Sequence, residues 1–214
     1  TLSKNLPILG STPQYTNTNH DVLSTAEGFI VRYNSSSQIT WATYLGSSNN
    51  GTLTSAHDGL QDLDFDSNND LYVIGYANGT DFPNTVNGNS TNFSHYNALV
   101  SDATISHFSN TGQIKWSTCM GSVTNSTFNA IKIKNNKIYL TGFKTTSGLN
   151  FPLKNSGNWY YSTASSGLTD AIFTIFNNKD SLLHSTYIAG DDWQVGEDID
   201  VDALGKVYIS GKTE

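Results

Sequence analysis

The sequence predicts an all-β protein built from three copies of a four-strand unit. Its 214 residues include 12% aromatic but only 14% charged side chains, and its apolar residues are mostly aromatic and β-branched, which favours strands over helices. Apolar and polar residues alternate along the predicted strands, and no stretch sustains a helical period. Gly75, Gly142 and Gly211 end the fourth strand of each copy, and such a fixed spacing is typical of repeat architectures.

Each copy contains the same four patterns in the same order. The first copy reads GFIVRYN, ITWATYLG, DLDFDS and LYVIGY between Gly28 and Tyr76. Short links rich in Asn, Ser and Gly join strands one and two, and strands three and four, as hairpin turns do. Longer links join the other strands. Because successive connections of an antiparallel sheet alternate ends, we expect all the long links at one end of the molecule, where binding functions concentrate.

These copies set the predicted organisation of the chain. We expect each copy to form one four-stranded antiparallel sheet that stacks on its neighbours, since a single sheet cannot bury both of its apolar faces. The chain begins and ends at the same phase of the repeat, so we expect it to be part of a longer protein. The predicted segments are 1–27 as the tail of a preceding unit, 28–76, 103–143 and 171–214 as the three units, and 77–102 and 144–170 as the connections between them.

Charge and composition exclude several classes of partner. The net charge of −7 and the pI near 5.0 give no basic surface for nucleic acid or for an anionic membrane. No apolar run reaches the roughly 20 residues of a membrane-spanning helix. The single cysteine, Cys119, cannot form an internal disulfide, and its strand setting predicts a buried, inert thiol. No cofactor and no metal centre is predicted.

Aromatic residues recur at one position of the second strand. Trp41 and Trp116 occupy it in the first two copies, and His184 occupies it in the third. They could form a ligand platform, but recurrence within a core strand favours packing between neighbouring units.

The stretch from Asp64 to Asp70 places oxygen-bearing side chains at alternate positions, as the first half of a calcium loop does. It lacks the glycine at the sixth position, where Asn69 stands, and the glutamate at the twelfth, where Gly75 stands. The same acids also suit a solvated strand face followed by an Asn-rich turn. Calcium binding therefore stays an alternative. The five histidines lack metal-ligand spacing.

Two groups of residues in the long links are candidates for binding a ligand or partner. Three consecutive aromatic residues in a polar link either contact a ligand or seal the seam between units. An acidic pair in the third copy, with Glu197 and Asp198 nearby, could serve glycoside hydrolysis at a suitable separation, but one copy alone carries it and no catalytic residue is predicted. The candidates are Trp159, Tyr160, Tyr161, Asp191, Asp192 and Trp193.

Several spaced elements together resemble a known repeat. They are Thr169 to Phe173, Ser185 to Ile188, Gly190 to Asp192 and Gly205 to Gly211 in the third copy, with Trp41 to Leu45 and Thr80 to Pro83 in the first. The chain resembles the SBBP repeat, a β-propeller repeat of secreted and surface-exposed bacterial proteins. The first two copies depart from it, since Ser47 to Asn50 and Ser122 to Thr124 replace the Gly-Asp-Asp loop.

The resemblance implies propeller blades, an extracellular or bacterial cell-surface location, and no shared catalytic residue. Three blades do not close a ring, because propellers usually have about four to eight. We therefore expect a non-catalytic scaffold, secreted or displayed, that mediates adhesion or another interaction through its long links. The partner would be a protein, a glycan or the rest of its own propeller. A carbohydrate-binding module is the first alternative and a propeller-type glycoside hydrolase the second.

Overall fold

The structure is a computed structural model that describes residues 26–47, 57–79, 82–84, 100–121, 124–145, 151–165 and 167–214. Within these ranges it contains twelve β-strands and no α-helix, which confirms the predicted all-β class. The described residues accordingly include no helix long and apolar enough to cross a membrane.

The strands follow the predicted patterns closely. They are β1 (Gly28–Tyr33), β2 (Ile39–Leu45), β3 (Gly59–Phe65), β4 (Leu71–Ala77), β5 (Asp102–Phe108), β6 (Ile114–Met120), β7 (Ser126–Lys134), β8 (Lys137–Thr145), β9 (Thr169–Asn177), β10 (Leu182–Ile188), β11 (Gln194–Val201) and β12 (Val207–Thr213). The short links are tight turns, with left-handed backbone at Asn69, Asn135 and Asn136, a conformation that asparagine tolerates.

The grouping of strands into sheets differs from the expected one. Among the described residues the sheets are β1-β2, β3-β4-β5-β6, β7-β8-β9-β10 and β11-β12, all antiparallel. Segment 28–76 therefore does not form one sheet, and 77–102 and 144–170 connect strands of the same sheet. Each complete sheet takes two strands from one sequence copy and two from the next.

The burial of individual strands explains why the sheets differ from the expected ones. The fourth strand of a copy and the first strand of the next are apolar on both faces, and β4 and β5 are buried along nearly their whole length. Such strands suit the middle of a sheet that is covered on both sides. The third strand alternates between half-buried and exposed residues, as β3 does. That pattern suits a sheet edge.

The repeated glycine has a structural cause. The hairpins β3-β4, β7-β8 and β11-β12 each carry a register shift at the same place. A Cβ atom on Gly75 would overlap the carbonyl oxygen of Gly59 on the paired strand, and Gly142 and Gly211 face the same clash with their own partners. Glycine marks the repeat because two backbones approach closely beside a bulge.

The sheets stack face to face through three apolar clusters. The largest lies between β3–β6 and β7–β10, and the other two lie between β1-β2 and β3–β6 and between β7–β10 and β11-β12. Trp41 packs edge-on against Phe108, with 5.7 Å between ring centroids. Trp116 packs against Phe176 at 6.4 Å. Both tryptophans are buried, as is Cys119, so the predicted packing role and the predicted thiol burial are confirmed.

Polar contacts also join successive sheets along one edge. Ile131 and Ile133 of β7 donate their backbone N–H groups to Oδ2 of Asp62 and of Asp64, at 3.0 Å and 2.7 Å. Lysines of β7 then reach β11. Lys132 Nζ lies 3.2 Å from Oδ1 of Asp200, and Lys134 Nζ donates to the Val201 carbonyl at 2.9 Å. The edge strands β3, β7 and β11 therefore lie side by side.

The long connections leave the sheets at one end. Ser126, at the start of β7, donates to the Ser101 carbonyl just before β5 at 2.7 Å, and Thr145, at the end of β8, donates to the Asn125 carbonyl at 2.8 Å. We call this the long-connection end. Sequence reasoning places the candidate binding residues in this part of the chain.

Candidate functional site

The acidic loop of the third copy is tied to the segment that enters β9. Thr169 donates its N–H to the Asp192 carbonyl at 3.4 Å, and Glu214 donates to the Trp193 carbonyl at 2.9 Å. Gly167 approaches so closely that a Cβ atom there would overlap the Asp192 backbone. Asp191 and Asp192 are exposed and Trp193 is half-buried. Backbone hydrogen bonds therefore hold the loop that carries these two exposed carboxylates.

An exposed leucine stands beside this acidic loop. Leu168 is 72% exposed and directly precedes Thr169, whose N–H binds the loop. The long-connection end thus displays an apolar side chain next to two acids. We call Leu168, Asp191 and Asp192 the acidic-leucine surface.

The aromatic triplet divides between the core and the surface. The Trp159 ring lies 5.6 Å from that of Phe173 and packs against the cluster between β7–β10 and β11-β12, so Trp159 seals the seam between two sheets. Tyr161 contacts His184 edge-on at 6.4 Å. Tyr160 points outward and is 68% exposed. Tyr160 is therefore the member of the triplet available to a ligand.

The triplet sits on a segment that covers the outer edge of β10. Lys154 and Ser185 exchange two backbone hydrogen bonds of 3.0 Å and 2.9 Å, and Tyr187 donates to the Ser162 carbonyl at 3.3 Å. Ser162 donates to the Thr186 hydroxyl at 2.8 Å. Covering an edge strand in this way blocks pairing with other chains. We call segment 151–165 the strap.

The two groups of candidate residues do not form one site. The triplet contacts His184, which pairs with Ile175 of β9. The acidic loop contacts Thr169, six residues earlier on the same strand, and six residues at about 3.3 Å each separate the two places by roughly 20 Å. The aromatic triplet and the acidic loop are therefore on separate surfaces.

A buried lysine and a buried aspartate lie side by side beneath the long-connection end. Lys144 of β8 and Asp170 of β9 are cross-strand neighbours, and both side chains are buried. The Ser165 hydroxyl donates to Oδ2 of Asp170. Lys144 Nζ lies 5.3 Å from the centre of the Tyr187 ring. Burial lowers the pKa of Lys144 while Asp170 opposes that shift, and burial raises the pKa of Tyr187 to about 12.

The neighbouring sheet has the same acid without the lysine. Asp102 of β5 corresponds to Asp170, but its cross-strand neighbour is Ala77. Its carboxylate is buried, and Oδ1 has no hydrogen-bond partner among the described residues. Burial raises the pKa of Asp102 to about 7. This acid is a pH-sensitive point of the fold rather than part of an open site.

A second polar cluster lies at the opposite end, beside the β3-β4 turn. Oxygens of Asp66 and Asp70 and a ring nitrogen of His107 lie within 4.8 Å of one another. His107 is buried, and its Nε2 atom is 3.5 Å from Oδ2 of Asp70. Burial lowers the pKa of His107 to about 4, so the imidazole is neutral at pH 7. Carboxylates with a neutral imidazole are ligands that zinc accepts.

The acids of this cluster already serve the fold. The Lys115 ammonium binds the same Oδ2 atom of Asp70, where a metal ion would stand, and Asn110 donates to the other oxygen at 2.9 Å. Asp66 accepts the N–H groups of Asn68 and Asp70 and so closes its own turn. Asp64, the first acid of the calcium-like stretch, instead binds β7. Calcium binding stays an alternative.

Sequence reasoning missed the association of His107 with Asp70. The two residues are far apart in the chain and show no ligand spacing. They meet because β4 pairs with β5, which places Tyr72 opposite His107 with the rings stacked at 4.0 Å. The sequence feature that could have predicted this pairing is that β4 and β5 are apolar on both faces, as central strands of a sheet are.

No protein-family model and no curated protein sequence matches the chain. The resemblance to the SBBP repeat therefore rests on the spaced residues given above.

Proposed function

We propose that the chain is an arc of a β-propeller and serves as a non-catalytic interaction scaffold outside the cell. Four-stranded meanders that stack face to face, with one edge strand of each beside the next, are what propeller blades require. On this proposal β3–β6 and β7–β10 are blades, and β1-β2 and β11-β12 are halves of blades. The extracellular or bacterial cell-surface location follows from the resemblance to the SBBP repeat.

The observation that carries the interaction role is the acidic-leucine surface. Leu168 is largely exposed, and Asp191 and Asp192 stand beside it on a loop braced by backbone hydrogen bonds. A rigid loop holding a solvated apolar side chain beside charges suits binding to another protein, because little ordering entropy is lost on association. The complementary partner surface would carry cationic side chains around an apolar contact.

The charged groups below this surface support a non-catalytic role. Lys144 lies across from Asp170 and 5.3 Å from the centre of the Tyr187 ring beneath the sheet end, so the pKa shifts of Lys144 and Tyr187 have a structural cause, their burial. Structural ion pairs perturb pKa values as catalytic groups do.

A carbohydrate-binding role is the second candidate. It is favoured by the exposed ring of Tyr160 on the ordered strap, flanked by asparagine and serine residues. An exposed aromatic ring can stack on a sugar while neighbouring amides and hydroxyls hydrogen-bond to it.

Two matched variants test the proposal. The first changes Leu168→Ser, Asp191→Asn and Asp192→Asn together, and the second is Tyr160→Ala. Each chain is immobilised on a surface and exposed to a culture supernatant. We expect the wild-type chain and Tyr160→Ala to capture the same defined protein, and the triple variant to capture at least tenfold less of it. Equal capture by all three chains would contradict the assignment of this surface.

A glycan array on the same proteins tests the second candidate. Binding to a defined glycan that is lost in Tyr160→Ala and kept in the triple variant would establish the carbohydrate role. If the chain hydrolyses a glycan and Asp192→Asn abolishes that hydrolysis, the enzymatic alternative would be established and the proposed scaffold overturned.

A further inference from the structure

Three aromatic rings of the sheet β3–β6 meet beside the β3-β4 turn. The Tyr72 ring stacks on the His107 ring at 4.0 Å, and the Trp116 ring packs edge-on against both, at 6.1 Å and 5.8 Å. All three side chains are buried. The Tyr72 hydroxyl, the Trp116 Nε1 atom and both ring nitrogens of His107 make no hydrogen bond with any described residue. Buried polar atoms without partners are unfavourable unless an ion or a water molecule satisfies them.

His107 is the member of this group that faces acids. It is 5% exposed, and one of its ring nitrogens lies within 4.8 Å of an oxygen of Asp66 and of an oxygen of Asp70. Those two oxygens lie within the same distance of each other. Nε2 of His107 is 3.5 Å from Oδ2 of Asp70, and no hydrogen bond joins them. A buried imidazole nitrogen without a partner is therefore aimed at two carboxylates.

The next sheet indicates that the fold does not require this polar group. Ile175 occupies the position of His107 in β7–β10, because both residues lie opposite the tyrosine of the preceding strand. Lys137 occupies the position of Asp70, two residues before that tyrosine. An apolar residue and a lysine thus suffice at these places. Burying a histidine without a partner costs free energy, so we infer that His107 has a ligand.

We propose that Asp66, Asp70 and His107 bind a divalent transition-metal ion of the zinc class. Imidazole nitrogen and carboxylate oxygen are ligands that zinc accepts, and water can take a remaining position. Calcium and magnesium prefer oxygen ligands, so the histidine distinguishes the two classes of ion. The ion would tie the β3-β4 turn, which carries both acids, to β5, which carries the histidine.

The two acids can bind a metal without giving up the turn. Asp66 accepts the N–H groups of Asn68 and Asp70 through Oδ1 alone, so its Oδ2 atom remains as a ligand. Asp70 accepts the Asn110 N–H through Oδ1 at 2.9 Å, so its Oδ2 atom is the one that a metal would use. Each acid divides its oxygens between the fold and the cation site.

Lys115 supplies the positive charge at this place in the metal-free chain. Its ammonium group binds Oδ2 of Asp70. The Lys115 side chain is 44% exposed, whereas that of Asp70 is 7% exposed. A lysine ammonium is strongly hydrated and sits on a flexible stem, so it can move into solvent while the aspartate stays. A doubly charged ion would then replace a singly charged one against the same oxygen.

Calorimetry of the chelator-treated chain with zinc chloride tests the site. We expect one zinc ion to bind per chain. His107→Phe should weaken zinc binding at least tenfold, and so should Asp66→Asn, whose amide oxygen still accepts the turn N–H groups. His57→Ala changes an exposed histidine outside the cluster and should bind zinc as the wild type does. Absence of zinc binding by the wild type, or equal affinity in His107→Phe, would overturn the proposal.

Lys115→Met tests the displacement of the ammonium group. Removing this competing cation should raise the affinity for zinc at least tenfold, whereas zinc bound elsewhere on the surface would not respond to the change. Unchanged or weaker binding in Lys115→Met would overturn the assignment of this position to the ion.

Thermal unfolding separates loss of the site from loss of the fold. His107→Phe should melt no lower than the wild type in chelator, because Ile175 shows that the equivalent position accommodates an apolar residue. Zinc should raise the melting temperature of the wild type, since it binds the folded chain, and leave that of His107→Phe unchanged. Stabilisation by calcium that persists in His107→Phe and is lost in Asp66→Asn would overturn the choice of a transition metal.

Discussion

Asp62 accepts the backbone N–H of Ile131 through Oδ2 at 3.0 Å, although the two residues belong to different sheets. Asp64 binds Ile133 in the same way at 2.7 Å. Both N–H groups lie on β7, the edge strand of its sheet, and the part of the chain that the structure describes places no further strand there to accept them. An edge N–H left without an acceptor is unfavourable once it is buried. The acids on β3 therefore replace part of a missing strand.

The first prediction concerns these acids. Replacing Asp64 by Ala should lower the free energy of unfolding by about 1–2 kcal/mol, the usual effect of losing a hydrogen bond to a charged group at a partly exposed site. Urea unfolding at concentrations where the chain is monomeric measures it. The matched control is Asp198→Ala, whose side chain serves its own strand in the single chain and should change stability by less than about 0.5 kcal/mol. Equal effects would show that Asp64 does not support β7.

The second prediction concerns the tryptophans between sheets. Trp41 packs on Phe108 and is buried, so Trp41→Ala should cost about 3–5 kcal/mol through lost apolar burial and the cavity left behind. Tyr160→Ala, at an exposed aromatic, should stay within about 0.5 kcal/mol of the wild type. Thermal and urea unfolding measure both variants. An unchanged melting temperature for Trp41→Ala would contradict the packing role.

The sequence predicts the elements of this fold better than their grouping. Turn residues such as Asn69 and Gly112 have the positive φ angles that their identity suggests, and the recurring Trp41 position is a packing position. The sheet boundary was not predicted, because the links after the second and fourth strands are both long. Only the burial of both faces of β4 and β5 distinguishes a central strand from an edge strand.

The candidate binding residues were predictable only in part, because their contacts also depend on how the strands group into sheets. Exposed Asp191 and Asp192 stand where a loop-rich end predicts binding residues. Trp159 packs in the seam between two sheets. Its role depends on the sheet that follows in the chain and cannot be read from the local sequence. His107 meets Asp70 through strand pairing, which no spacing rule describes.

The third prediction is a pH dependence of stability. Burial raises the pKa of Asp102 to about 7 from its ordinary value of 3.8, so between these values the folded chain keeps a proton that the unfolded chain releases. Stability from this group therefore falls as pH rises from about 4 to 7, by up to about 1.4 kcal/mol per pH unit.

The Asp102→Asn variant isolates this effect. Asn cannot ionise, so the variant should gain stability relative to the wild type as pH rises through that window. Urea unfolding of both proteins at a series of pH values measures the difference. Parallel curves for the two proteins would show that Asp102 ionises normally in the folded chain.

The fourth prediction concerns the buried cross-strand neighbours Lys144 and Asp170. Lys144→Met leaves Asp170 buried without its cation and should cost about 3–5 kcal/mol at neutral pH. Adding Asp170→Asn removes the stranded charge and should recover a large part of that loss. Urea unfolding of the two single variants and the double variant forms a double-mutant cycle. Additive losses would show that Lys144 and Asp170 do not interact.

Amide hydrogen exchange at Ile131 and Ile133 tests whether successive sheets are joined edge to edge by acids of the preceding copy. We expect slow exchange at both amides in the wild type. We also expect exchange at least tenfold faster at Ile133 in Asp64→Ala, with the β8 amides unchanged. Fast exchange at both positions in the wild type, or no response to Asp64→Ala, would contradict it.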